Sequence, residues 1–141
     1  MVVKRRTRIS LGDVPRLAQT GGEHWAGTWF ERRLAARRLQ PVCQVSYRRM
    51  ARGGEAAGGP IRLTLDAFVH AGAVDEVAFA RSSDTPVLPE LLILELKFRS
   101  AAPALFKQLV DDLALTPRAA SKYRCAVSAL TGWPLEQGTS V

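Results

Sequence analysis

Residues 91–99 read Leu-Leu-Ile-Leu-Glu-Leu-Lys-Phe-Arg. In an extended strand, alternate side chains point to opposite faces. Leu92, Leu94, Leu96 and Phe98 then form one wholly apolar face. The other begins with Leu91 and Ile93 and turns ionic at Glu95, Lys97 and Arg99. So strong an apolar run belongs in a sheet, where charge is costly unless paired or wetted. Two readings follow: an edge strand with a solvated charged face, or a strand whose ionic side lines a cavity. Matching charge on other strands decides between them.

Such matches exist. Residues 61–69 alternate, with Arg62, Thr64 and Asp66 on one face and Ile61, Leu63 and Leu65 on the other. Residues 41–51 form another strand, with Val45, Tyr47 and Arg49 together. Residues 52–60 are glycine-rich but lack the Gly-Lys-Ser/Thr ending of a phosphate-binding loop, so they read as a mobile hairpin loop. Residues 2–9 read as a strand with Lys4, Arg6 and Arg8 on one face, and residues 74–80 as a weaker one. Residues 81–89 are a polar, proline-bounded loop.

The remainder is helical. Ser10 is an N-cap with Asp13 at N3 for a short helix limited by Pro15. Residues 25–39 carry Trp25, Trp29, Phe30 and Leu34 on an apolar side, with Arg32, Arg33, Arg37 and Arg38 on a solvated basic one. Residues 102–115 turn Leu105, Phe106, Leu109, Val110 and Leu113 inward, and a last helix covers 119–130. The expected organisation is one domain over 1–131 and a tail over 132–141.

Composition narrows the function classes. At 141 residues, 47% hydrophobic and 23% charged, the chain can bury a core and is not of disordered type. No apolar run approaches the roughly 20 residues of a membrane span, and no apolar stretch follows the N-terminal charges, so a cytoplasmic location is expected. Cys43 and Cys125 form no ligand cluster with His24 or His70 and are expected as free thiols. The net charge of +7 favours polyanionic partners. Most of it is arginine, whose planar fork matches phosphate oxygens. Composition alone leaves open an arginine surplus with no binding role.

Alternation places Arg49, Arg62, Lys97 and Arg99 on one side of the sheet. Crowded cations repel, so the arrangement makes sense around an anion. Antiparallel strands with charge inward and helices over the apolar outside give an α+β fold, a tunnel-like barrel with a cationic lumen, of which about five strands are present. Glu95 and Asp66 offer hard oxygen ligands for a divalent metal bridging phosphates.

The run Val-Ser-Tyr-Arg-Arg (45–49), Ile-Arg-Leu-Thr-Leu-Asp (61–66), Ile-Leu-Glu-Leu-Lys-Phe (93–98), Pro103 and Ala-Ser-Lys-Tyr (120–123) resembles, in order and spacing, the VTC domain. That is the polyphosphate polymerase domain of the triphosphate tunnel metalloenzymes. The resemblance implies that Lys4, Arg6, Tyr47, Arg49, Arg62, Lys97, Ser121 and Lys122 contact the phosphate chain, with Lys97 and Arg62 the catalytic cations and Glu95 a ligand to Mn²⁺ or Mg²⁺. It implies transfer of the γ-phosphoryl group of ATP onto polyphosphate, chemistry dominated by positioning and charge neutralisation. In the family further strands lie upstream, so an open half-barrel is expected, completed by another copy or another chain, or left by truncation.

Two other readings use the same residues. Asp66 followed by Glu95-Leu96-Lys97 matches the metal-and-lysine pattern of PD-(D/E)xK nucleases, but leaves Tyr47, Arg49, Ser121 and Lys122 unexplained. A non-catalytic polyphosphate, nucleotide or RNA binding module would need only the cationic face. No interleaved aromatic RNA motif is visible, and nucleic acid is not the expected partner.

Overall fold

The computed structural model describes residues 5–19, 23–77 and 84–134. Its centre is a long hairpin of β1 (Cys43–Ala56) and β2 (Gly59–Ala73), joined by Ala57 and Gly58. The expected loop over 52–60 is therefore mostly strand. Gly53 pairs with Arg62 and Gly54 with Ile61. Glycine lacks a side chain to pack but keeps both backbone hydrogen-bonding groups, so the ladder runs through it. The reversal's demand for a left-handed backbone falls on Gly59, at φ 106°, where no Cβ opposes it.

β4 (Ile93–Lys97) pairs antiparallel with the first half of β2, and the two-residue β3 (Thr85–Pro86) pairs with its far end at His70 and Ala71. The result is an α+β architecture in which the described residues form a four-stranded antiparallel sheet that does not close into a barrel. The core of the 91–99 stretch, Ile93–Lys97, is thus a strand that flanks β2. Residues 5–9 are coil rather than strand and 2–4 lie outside the described residues; Val74 still donates to the Val42 carbonyl at 3.2 Å, but 74–77 are not strand and 78–80 lie outside the described residues.

The β1–β2 register shifts between Ser46 and Arg48, opposite Phe68, which holds φ 52°. The shift adds a residue to β2 and so brings Val69 and Ala71 onto the face of Asp66. Val45, four residues before Arg49 and so on its face, pairs with Ala71, while Arg49 pairs with Asp66. That face is apolar at one end and ionic at the other. Helix α3 (Lys122–Thr131) packs on its apolar end, burying Val69, Ala71 and its own Ala126.

This corrects the expectation that helices cover only the apolar side. On that side α2 (Ala104–Asp112) reaches Phe98 through Phe106, with ring centroids 6.4 Å apart. Leu105 and Leu113 stay exposed, and Ile61, Leu63, Leu65, Leu94 and Leu96 are half-buried. The N-terminal 3₁₀ segment Leu11–Ala18 packs on α1 (Thr28–Arg37). The inward positions of α1 are Thr28 and Glu31, while Trp29 and Phe30 face outward. Trp25 explains the inversion: its indole N–H donates to the Glu31 carboxylate at 2.8 Å, and its backbone N–H to the Thr28 hydroxyl at 2.8 Å. Buried polar groups with partners displace the apolar stripe that periodicity suggests. Cys43 and Cys125 are half-buried free thiols, and burial pushes the Cys43 thiol pKa up.

Candidate anion site on the open sheet face

Residues paired across a ladder share a face. Arg49 pairs with Asp66, and β4 meets β2 as Asp66 with Ile93, Thr64 with Glu95 and Arg62 with Lys97. One face therefore carries Arg49, Arg62, Asp66, Thr64, Glu95 and Lys97, as the alternation implied.

Asp66 is the centre of its ionic end and has no exposed surface. The Arg49 guanidinium donates to it twice, Nε to Oδ1 at 2.6 Å and Nη2 to Oδ2 at 2.7 Å. Lys122, the first residue of α3, sits with Nζ 2.7 Å from Oδ2. These donors outweigh the cost of burial and hold the Asp66 carboxyl at about 2, below the ordinary carboxylate range. Arg49 is raised in turn, chiefly by the same hydrogen bonding. Tyr47 faces both cations, its ring centroid 5.0 Å from the Arg49 guanidinium carbon and 5.2 Å from Lys122 Nζ. The fold thus joins Tyr47, Arg49 and Lys122 into one cluster.

The second group lies four residues along β2, about 13 Å away at a strand's rise per residue. There Arg62 is exposed and makes no ion pair among the described residues. Lys97 contacts Glu95 at 3.1 Å, both substantially exposed. Between the groups stands Thr64, 1% exposed, whose hydroxyl has no hydrogen-bond partner among the described residues.

The remaining candidates are placed differently. Ser121 is the N-cap of α3, its hydroxyl accepting the Arg124 N–H at 3.4 Å, so it stands next to the cluster with a local structural role. Arg6 is exposed in the coil before the 3₁₀ segment rather than on a sheet strand. Lys4 lies outside the described residues. Asp66, considered from the sequence beside Glu95 as a metal ligand, is here buried and accepts from Arg49 on both oxygens and from Lys122 on Oδ2. Its role as a hub was missed because it needs the Arg49–Asp66 register and the landing of α3. The orphaned Thr64 hydroxyl was missed for the same reason: its face was assigned, but not its burial.

Among the described residues no three His, Cys, Asp or Glu side chains gather to hold a metal. Mg²⁺-type sites that use substrate phosphates need only one or two carboxylates. Glu95, reachable and bound only to Lys97, fits that limited role. No helix among the described residues is long and apolar enough to cross a membrane.

No curated protein and no solved structure matches the chain. The family model of the VTC domain matches residues 3–131, nearly the whole chain and all of the cationic face. The chain belongs to the VTC domain family.

Proposed function

We propose that the ionic sheet face binds a linear chain of phosphates, as the triphosphate of ATP and as polyphosphate, and transfers the γ-phosphoryl group of ATP to the terminal phosphate oxygen of the growing polymer, releasing ADP. Family membership supports a polyphosphate-related role in general. The observation that carries the finer reading is the pair of cationic groups on one face, Arg49 with Lys122 and Arg62 with Lys97. Their separation of about 13 Å exceeds one phosphate and suits a linear polyanion. Glu95 would hold Mn²⁺ or Mg²⁺ together with phosphate oxygens, and such an ion neutralises charge on the transferring group. Arg62 and Lys97 orient that group, and Tyr47 backs the cations at the other end.

One open sheet offers one wall. A second copy of the chain supplies the opposing wall in this reading, because the described strands form a single open sheet. The decisive assay is incubation of the protein with ATP and Mn²⁺, followed by a polyphosphate gel and calorimetry with tripolyphosphate. A ladder of products together with binding supports the polymerase. Binding without product favours a non-catalytic polyphosphate module, which the pairing of Glu95 with Lys97 already makes the second reading. Neither result would leave the anion site in error; loss of binding would. The nuclease reading is disfavoured, since Asp66 is buried beneath Arg49 and Lys122 and a metal there would have to compete with both cations.

A further inference from the structure

Asp66 and its two cations differ in accessibility. The carboxylate is wholly buried, whereas the side chains of Arg49 and Lys122 are 32% and 22% exposed. Both cations also retain donors. Arg49 directs two of its five N–H groups to Asp66, and Lys122 one of three. A carboxylate that only fastened α3 to the sheet would need Lys122 alone. The twofold grip on Arg49 fixes a side chain whose backbone the β1–β2 ladder already holds. Tyr47 limits the same two cations from another side. The group as a whole keeps one net positive charge, with the negative charge beneath and the positive groups toward solvent.

We infer that Asp66 is a positioning residue of the anion site. It sets the Arg49 guanidinium and the Lys122 ammonium side by side, their free donors exposed, so that neighbouring phosphates of one ligand are met by both. Asp66 itself touches no ligand. The inference rests on the anion-binding reading above, and goes beyond it by making affinity for linked phosphates depend on a residue that cannot contact them.

The test is titration calorimetry of the full chain with tripolyphosphate and, separately, with orthophosphate, for the natural protein, Asp66→Asn and Asp66→Glu, with a thermal melt of each. Asp66→Asn is expected to lose about tenfold or more in tripolyphosphate affinity. Orthophosphate needs only one cation, and its affinity should change less than about threefold. Asp66→Glu keeps the charge but is one methylene longer, and should fall between the two. Parallel loss of both ligands, tracking the folded fraction, would show a purely structural role and overturn the inference. Unchanged or tighter tripolyphosphate binding by Asp66→Asn would make the carboxylate a competitor of the ligand, and also overturn it. If the natural protein binds no tripolyphosphate, the anion-binding reading fails first and takes the inference with it. Should the Asp66 variants not fold, Arg49→Ala, Lys122→Ala and their double variant give the answer with Asp66 intact. Cations aligned through one carboxylate should be non-additive by about threefold or more in tripolyphosphate affinity, and strict additivity counts against alignment.

Discussion

Two side chains on β2 carry opposite energetic signs although they lie two residues apart. Asp66 stabilises the fold while ionised. Its folded pKa of about 2 is below the ordinary 3.8 because Arg49 and then Lys122 donate to it, against the cost of burial. The stabilisation, on the order of 2 kcal/mol, is fully present above pH about 4 and is lost as pH falls toward 2. Urea unfolding between pH 6 and pH 2 should show this loss, and Asp66→Asn should flatten that limb while lowering stability at pH 6. Thr64 is the reverse case. Its buried hydroxyl has no partner among the described residues, which costs about 1–3 kcal/mol, so the near-isosteric Thr64→Val should raise stability by about 1 kcal/mol. If the anion site opens on binding so that this hydroxyl meets a phosphate oxygen, Thr64 contributes to affinity. In that case the same substitution should weaken tripolyphosphate binding, and calorimetry beside the urea melt reads both signs; unchanged binding would make the hydroxyl a purely structural defect.

The β1–β2 hairpin shows what could be read from the residues and what could not. Alternation at Arg62, Thr64 and Asp66 against Ile61, Leu63 and Leu65 is a direct record of strand geometry, and Glu95 and Lys97 fall on the same face for the same reason. The site was legible to that extent. Gly53 and Gly54 hid the length of the hairpin, since glycine signals a turn as readily as it tolerates a strand. The bulge at Phe68 carries no sequence signal, because a bulky residue is a poor occupant of positive φ. Without the bulge the landing of α3 on the ionic face could not be foreseen. These positions predict opposite outcomes. Gly59→Val places a β-branched residue at φ 106°, with its Cβ 3.5 Å from Arg99 Cδ, and should cost about 1–3 kcal/mol. Phe68→Gly relieves a left-handed backbone where the side chain is 64% exposed and should stabilise by up to about 1 kcal/mol, less the contact with Arg48. Thermal melts of the two variants should move in opposite directions; equal losses would show that Phe68 is held by packing rather than strained.

The sheet as a whole presents a cationic face to water in a chain of net charge +7, and this sets how two copies can meet. Arg48, Arg49 and Arg52 crowd the edge strand β1, a pattern that discourages strand-to-strand pairing with another chain. Two cationic faces also repel one another in the absence of ligand. A polyanion reverses the sign, because its negative charge satisfies Arg49, Arg62, Lys97 and Lys122 of both copies at once. Association should therefore be driven by ligand. Light scattering is expected to show a monomer in dilute buffer and a dimer once long-chain polyphosphate is added, with higher salt favouring the monomer. Arg62→Ala with Lys97→Ala removes half of each wall and should abolish the shift without unfolding the chain, since both residues are exposed. Polyphosphate synthesis per mole of protein should then rise with protein concentration in step with the dimer. If synthesis per mole is independent of concentration and the protein stays monomeric with ligand, a single sheet face suffices for the chemistry, and the second wall is not needed.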